Sequence, residues 1–489
     1  MIVDKKLSFV RTGVNACGGI DSALRPSQAG FESAWVRGAA HLCSMSGQPD
    51  ISQLATAVFR AWQQANIRFL ILRNYESLPH STADSIDVLV APEQLRQAEQ
   101  AVLRAATQTG FRLHNRVQSA ALALYLSSPQ TNAQARFDLL TALKWRGFDF
   151  LSCQEFLQRK VSRELFCIPH PADETATRLL ASLIYTGKVN EKCRPAITAG
   201  CQAESAAVTE LLARTYGAAH ARFLVTGAAQ ADWDALEAGT GRLRRAMVFR
   251  QLTRHPLRTM TSLLAVAGGL ARRFLWPPGM VVVLCGADGS GKSTAAHAIM
   301  EGLSGTFPPQ EVRHFHWKPP VFSARRQAAR GPATDPHGLP ARNPAVSLCY
   351  FGLHWIEFLL GSHLRLRPVT IRGGLVLIDR YYYDFFVDQR RYRLDVPPVL
   401  VRLGHFFLKK PDLIVLLDAP SAVLQSRKQE VAPAETERQR LAYRELVRGL
   451  SNGLVLDATR PPDKVGAAIN RAILDFMAQR TIKRWHIRN

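Results

Sequence analysis

The segment 286–294 reads Gly-Ala-Asp-Gly-Ser-Gly-Lys-Ser-Thr and fits the pattern G-x-x-x-x-G-K-[ST]. An apolar run at 280–285 precedes it, and an Ala-rich stretch at 294–300 follows. A buried strand, a glycine-rich turn and a helix in that order make a loop whose backbone N–H groups wrap a polyphosphate. Gly286, Gly289, Ser290, Gly291, Lys292, Ser293 and Thr294 are therefore the candidate contacts for ATP. In such a loop the lysine, here Lys292, reaches the β- and γ-phosphates, and the hydroxyl of Ser293 holds Mg²⁺.

A second constellation lies about ninety residues on, where the apolar run 375–378 ends in Asp379-Arg380-Tyr381. Phosphoryl transfer depends mainly on positioning and charge neutralisation. A strand-end carboxylate beside the loop serves the metal, which makes Asp379 the second candidate Mg²⁺ ligand. Arg380 is permanently charged and forked, suited to a phosphate.

These residues need a scaffold. Three more apolar runs, 312–317, 413–418 and 454–457, join the two already named to give five short strands. Helical stretches fall between them at 346–361, 397–408, 422–429 and 436–450. That alternation predicts a parallel sheet with helices on both faces and its ligand at the carboxyl ends of the strands.

The motifs at 286–294, 375–384 and 411–420, in that order, resemble the thymidylate kinase family of P-loop nucleotide kinases over about 279–480. The resemblance implies that Asp288 lies toward an acceptor nucleotide and that Asp379 and Arg380 serve the metal and the acceptor phosphate. It makes Lys292, Asp379, Arg380 and Asp288 the catalytic set. Lys318, Arg380, Tyr381 and Arg427 become the acceptor contacts, with Lys318-Pro319 standing roughly where the family has Arg-Glu-Pro. It further implies a mobile arginine-bearing lid, into which Arg427, Lys428, Arg438 and Arg440 fall.

The chain departs from that pattern. Bulky residues at 382–386 and a basic run at 388–393 replace the small polar residues that line a thymidine site. The insert 323–344 is basic and rich in Pro and Gly, and such a segment is expected to be mobile. Donor chemistry carries over; thymidine specificity does not. His314 and His316 share one face of a strand, but no third ligand stands at metal spacing. They are expected to be exposed strand-end residues.

The first half reads as a separate α+β module, with strands near 67–73, 84–90 and 135–140 and a helix at 93–109. It resembles the nucleotidyltransferase fold, where carboxylates at D-x-D spacing and a third Asp on a neighbouring strand hold Mg²⁺. Asp87 and Asp138 match the second and third positions. Ser85 stands at the first, Asp84 is one residue out, and Arg73-Asn74 replaces a Gly-Ser turn. The module is expected to be degenerate. Residues 173–239 read as a helical appendage. This order of modules resembles bacterial proteins linked to polysaccharide or capsule assembly, which is an analogy of family and not of any residue.

The chain is too long for one core, at 489 residues. The expected layout is an extension at 1–50 expected to be disordered, the nucleotidyltransferase-like module at 51–165 and helices at 166–255. A basic linker at 256–279, the kinase-like module at 280–480 and a basic tail at 481–489 complete it. Net charge is +23. Between 238 and 287 there are eight arginines and no carboxylate. Solvated basic faces, an anionic membrane surface, nucleic acid and phosphorylated small molecules all remain open as explanations. No nucleic-acid-binding motif accompanies the charge, so nucleic acid is the least expected partner; a homodimer stays open.

Uncharged stretches near the linker are too short to span a bilayer, and 1–50 lacks the apolar core of a signal peptide. Met45 is an alternative start. The eight cysteines form no C-x-x-C pair, which suits reduced thiols in a cytoplasmic protein, with the inner membrane face as the alternative location. The functional expectation is an ATP- and Mg²⁺-dependent phosphotransferase acting on a nucleotide or related phosphorylated metabolite. The alternative is an ATP-binding accessory protein of surface polysaccharide assembly.

Overall fold

A computed structural model describes residues 50–80, 85–118, 121–131, 133–151, 155–322 and 337–485. Met45, Asp84, the 323–336 part of the insert and the last four residues lie outside the described residues. The chain divides into two compact units, Met1–Arg112 with Ala120–Val266 and Leu113–Ser119 with Ala267–Asn489.

The first unit is built on strands β1 (Phe69–Ile71), β2 (Ile86–Val90), β4 (Leu122–Ser127) and β5 (Gln134–Leu140), while β3 (Arg112–Gln118) falls in the second but for its first residue. Within the first unit the strand order is β1-β2-β5-β4. β2 and β5 run parallel, and their register sets Asp87 directly beside Asp138. The helix Ile51–Gln64 buries Leu54, Val58, Phe59 and Trp62 at helical spacing. Trp62 meets Phe69 of β1 with ring centroids 4.8 Å apart. Hairpins β6 (Leu143–Trp145) with β7 (Phe148–Leu151), and β8 (Val161–Ser162) with β9 (Cys167–Ile168), follow.

The expected helical appendage is present as Pro171–Ala181, Arg194–Ala203, Ser205–Tyr216, Ala218–Ala229 and Trp233–Arg254. Its buried Leu179, Leu183, Leu211, Leu224 and Leu236 share one core with Phe150 and Leu151 of β7. The stretch expected as a basic linker is largely helical. Residues Pro256–Leu275 form a helix of 20 residues, in which Thr259 alone is buried. Proline at its first position suits a helix start, and Gly268-Gly269 is a tolerated cost of about 1 kcal/mol per glycine.

In the second unit, β10 (Met280–Cys285), β11 (Val312–Phe315), β12 (Leu375–Asp379), β13 (Leu413–Asp418) and β14 (Gly453–Asp457) form one sheet in the order β11-β12-β10-β13-β14. Every neighbouring pair is parallel. All residues of β10 are buried, and they alternate between two cores. Met280, Val282 and Leu284 pack with Ile299 of the helix Lys292–Gly302 and with Ile469 and Met477 of the helix Pro462–Trp485. Val281, Val283 and Cys285 pack on the other face with Phe358, Val401 and Tyr443. These come from the helices Pro344–Gly361, Pro398–Phe406 and Pro433–Arg448. A strand covered on both faces reads as a continuous apolar run, which is why β10, β12 and β13 were legible.

Among the described residues one helical run, Pro344–Ile371, is long and apolar enough to cross a membrane by length and composition. Its inner face, including Phe351 and Phe358, belongs to the sheet core.

Candidate functional site

β10 is the central strand, and the direction of strand order changes on either side of it. The crevice beyond its carboxyl end is where a ligand binds in such a sheet. The loop leaving β10 turns on three glycines with positive φ, Gly286 at 143°, Gly289 at 81° and Gly291 at 88°. A side chain at Gly286 meets the Ser290 Oγ and the Leu417 carbonyl within 2.7 Å, and one at Gly289 meets the Leu424 carbonyl at 2.7 Å. The backbone thus comes closer to its surroundings than any other residue allows.

Gly291 hands the chain to the helix Lys292–Gly302, whose first turn exposes Ser293 and Thr294. Lys292 is buried, and its Nζ donates to the carbonyls of Gly286 and Ala287, both at 2.9 Å, with Ser290 Oγ at 3.4 Å. The ammonium is therefore held within the loop by the loop's own acceptors. Burial and the Arg380 guanidinium press its pKa down to about 8, against the pull of Asp288 and Asp379.

Asp379 ends β12, and its register partner on β10 is Leu284, two residues before Gly286. The carboxylate is buried and bonds His314 Nε2 at 3.1 Å and His316 Nδ1 at 3.3 Å. Burial raises its pKa, but the hydrogen bonds from His314 and His316 outweigh that and hold it at about 2. His316 is largely exposed, as expected, with a side chain 79% accessible. The two histidines have this carboxylate as a common partner. β11 lies beside β12, and alternate positions at its end face the same carboxylate.

Arg380 and Tyr381 follow with φ of 66° and 52°, uncommon values for residues with side chains. This kink sends the two side chains apart. Arg380 pairs with Asp288, and Arg391 reaches the other oxygen of the same carboxylate. Burial opposes the charge on Asp288, but Arg380, Lys292 and Arg391 hold it well below the usual carboxylate range. Tyr381 is fully buried; its hydroxyl donates to the Lys409 carbonyl at 3.0 Å. It is a core residue here and not a lining of the site.

Lys318 is also placed differently from the expectation. It is 6% exposed, pairs with Glu357 and lies 3.1 Å from His354 Nδ1. Trp317 beside it stacks on Tyr392 at 4.2 Å with an interplanar angle of 11°, and Phe385 closes on both. Tyr392 and Tyr443 both donate to Asp384. The bulky segment that departs from the resembled pattern thus surrounds Trp317 with rings and tied hydroxyls.

The expected lid region follows β13 as the helix Ser421–Arg427, a loop and the helix Pro433–Arg448. Arg427 is exposed and donates to the Ala458 carbonyl at 3.0 Å. Arg440 bonds Asp418 at 2.8 Å, and Arg438 bonds Glu435. Lys428 pairs with Glu430 at 2.6 Å, and Glu430 lies 3.5 Å from Arg391. The chain from Asp288 through Arg391 to Glu430 links the glycine loop to the segment that follows Ser421–Arg427. Sequence reasoning missed Glu430, and also Arg391 and Glu357, whose partners Asp288 and Lys318 are distant in the chain.

Among the described residues, His337, Asp388 and Glu435 bring three ligand atoms within 4.8 Å of one another. Gln439 and Arg391 also bond Asp388, and Arg438 bonds Glu435, so protein donors already meet these carboxylates. The described cysteines Cys167, Cys193, Cys201, Cys285 and Cys349 are free thiols.

No family model matches the chain. A thymidylate kinase of Thermosynechococcus vestitus is 27% identical over 218 residues, 40% of this chain and 87% of that protein. The thymidylate kinase of Xylella fastidiosa strain M12 is 26% identical over 152 residues, 30% of this chain. The chain covers 62% of that relative, less than two thirds of its length. A solved thymidylate kinase from Ehrlichia chaffeensis matches at 17% identity with a TM-score of 0.29, over 40% of this chain and 97% of that one. The chain carries a thymidylate kinase-like P-loop domain, and the similarity stops well short of its full length.

Proposed function

We propose that the protein is an ATP- and Mg²⁺-dependent phosphotransferase of the nucleotide kinase type, acting on a nucleoside monophosphate or a related phosphorylated metabolite. The observation that carries this reading is the pairing of Leu284 with Asp379, which puts the loop bearing Lys292 and the Asp379-Arg380 pair at one end of adjacent strands.

The residues present fit the expected ligands. At Gly286 and Gly289 the turn leaves no room for a Cβ atom, and Ser293 is exposed at the start of a helix where backbone N–H groups favour phosphate. Gly286, Gly289, Ser290, Gly291, Lys292, Ser293 and Thr294 would hold ATP; Ser293 and Asp379 would hold Mg²⁺. The bound pair supplies the transferable phosphoryl group and neutralises its charge. Lys292 exchanges its loop carbonyls for phosphate oxygens. Arg380 shares Asp288 with Arg391, so it can turn to an acceptor phosphate while Asp288 keeps a counter-ion. Asp288 orients the acceptor, and Arg427 with the following lid closes over the phosphates and excludes water.

Acceptor choice rests on the Trp317–Tyr392 stack and on Lys318, which is committed to Glu357. Both argue against a thymidine site of the resembled kind. The test is γ-phosphate transfer from ATP·Mg²⁺ to a panel of nucleoside monophosphates and sugar phosphates, with Lys292→Ala as control. Transfer that needs Lys292 supports the reading and names the acceptor. ATP binding with no acceptor phosphorylated favours the second reading, an ATP-binding accessory protein in surface polysaccharide assembly. The tied acceptor side, with Lys318, Arg391 and Asp384 all paired, is what favours that alternative.

The first unit is read as a nucleotidyltransferase-like module without transfer activity. Asp87 pairs with Arg73, and Asp138 bonds Arg136 at 2.9 Å. Two guanidiniums thus answer the carboxylates that a metal answers in the resembled fold. For partners, the outer faces of Pro344–Gly361 and Pro398–Phe406 expose Leu353, Val399, Leu403 and Phe406, each at least 57% accessible. An apolar face of that kind, edged by the exposed Arg402, suits a homodimer, which sedimentation velocity tests directly.

A further inference from the structure

The helix Pro256–Leu275 lies where a linker is expected, yet its solvent face is patterned. Leu257, Met260, Leu264, Ala267, Ala271, Phe274 and Leu275 recur at spacings of three and four and are all exposed. Leu257 is 83% accessible, Leu264 64% and Leu275 63%, and Trp276 extends the stripe at 56%. A helix of 20 residues is about 30 Å long, so this is a continuous apolar line and not a scattering of single side chains. The patterning has no use in water, where a linker helix would present polar residues.

Charge says what covers the stripe. No carboxylate occurs between 238 and 287, while eight arginines do. Arg258 is answered by Asp149 at 3.0 Å. At the other end the arginines gather. Arg272 lies over the Trp485 ring at 5.0 Å, Arg367 lies over the Phe274 ring at 4.0 Å, and Arg484 donates to the Pro277 carbonyl at 2.9 Å. Aromatic rings and guanidiniums thus sit together where the helix C-terminus adds its own partial negative charge to hold them. A second copy of so basic a surface would be repelled. Nucleic acid would use the arginines but leave the apolar line in water.

We propose that this helix lies on an anionic membrane surface, with Leu257, Met260, Leu264, Phe274, Leu275 and Trp276 in the boundary between headgroups and acyl chains. Arg272 and Arg367 meet lipid phosphates at its carboxyl end. Amphipathic helices of this composition bind by apolar burial together with attraction to anionic lipid.

The experiment is co-sedimentation of the full chain with vesicles of phosphatidylcholine alone and of phosphatidylcholine mixed with phosphatidylglycerol. The expected result is binding to the mixed vesicles, weakened by salt and at least roughly tenfold weaker for the neutral ones. The variant L257E/L264E changes two exposed positions outside the phosphate site. It should lose at least roughly tenfold in vesicle binding while its circular dichroism and ATP binding stay unchanged. Equal sedimentation of wild type and variant overturns the proposal. So does self-association, or binding to an oligonucleotide, that the variant abolishes when vesicle binding is unaffected. Because ATP binding is read separately, failure here is distinct from failure of the phosphotransferase reading.

Discussion

Lys318 and Glu357 form an ion pair whose side chains are 6% and 7% exposed. Two charges so far from water persist only because each answers the other and adds further bonds, here to His354 Nδ1 and the Val321 backbone N–H. Glu357→Ala strands a buried ammonium, and the expected loss is about 3–5 kcal/mol of unfolding free energy. Lys318→Met with Glu357→Leu should recover most of that in urea titrations. If the double variant is as unstable as the single one, the pair is not what the site depends on.

His354 gives this region a pH dependence. Burial, and then the Lys318 ammonium, press its imidazole from 6.5 down to about 4. The folded protein keeps it neutral where the unfolded chain takes up a proton. Its contribution is therefore complete above pH 6.5 and is lost as pH falls toward 4, amounting to roughly 3 kcal/mol. His354→Gln keeps an acceptor for Lys318 and should flatten stability against pH across that window. An unchanged slope contradicts the assignment.

The two histidines on Asp379 should not be equal. His314 has a side chain 30% exposed and His316 one 79% exposed, so water screens the second bond more. His314→Ala should lower kcat several-fold more than His316→Ala, with KM for ATP·Mg²⁺ less affected. Initial-rate kinetics on the acceptor found by the panel decides this. Equal effects mean that neither imidazole positions the carboxylate.

In the first unit Arg73→Ala leaves the buried Asp87 beside Asp138 with one guanidinium fewer. The expected cost is roughly 3 kcal/mol. If the guanidinium stands where a cation otherwise would, millimolar Mn²⁺ should raise the Tm of the variant more than that of wild type. The same small shift in both proteins argues that the carboxylates never formed a metal site.

The sheet and the phosphate loop were legible because their signals are local. Strand runs such as 280–285 are apolar throughout, and the glycine spacing sits within nine residues. The ion pairs were not, because Asp288 meets Arg391 across 103 positions and Lys318 meets Glu357 across 39. Tyr381 was misplaced for a related reason. Its neighbour in sequence, Arg380, points to the site, but two successive positive φ angles turn Tyr381 into the core. The helical form of Pro256–Leu275 is hard to read because its apolar side faces water and its Gly268-Gly269 step weakens the helical signal.

The central claim is that Lys292 and its loop act on the ATP γ-phosphate. The most direct measurement is single-turnover conversion of ATP·Mg²⁺ by the full chain, in the presence of the acceptor panel, for wild type and Lys292→Ala. The account predicts acceptor-dependent loss of the γ-phosphate in wild type and a rate at least roughly 10²-fold lower in the variant, with the fold intact by circular dichroism. Equal rates, or no turnover by wild type with any acceptor, would contradict it.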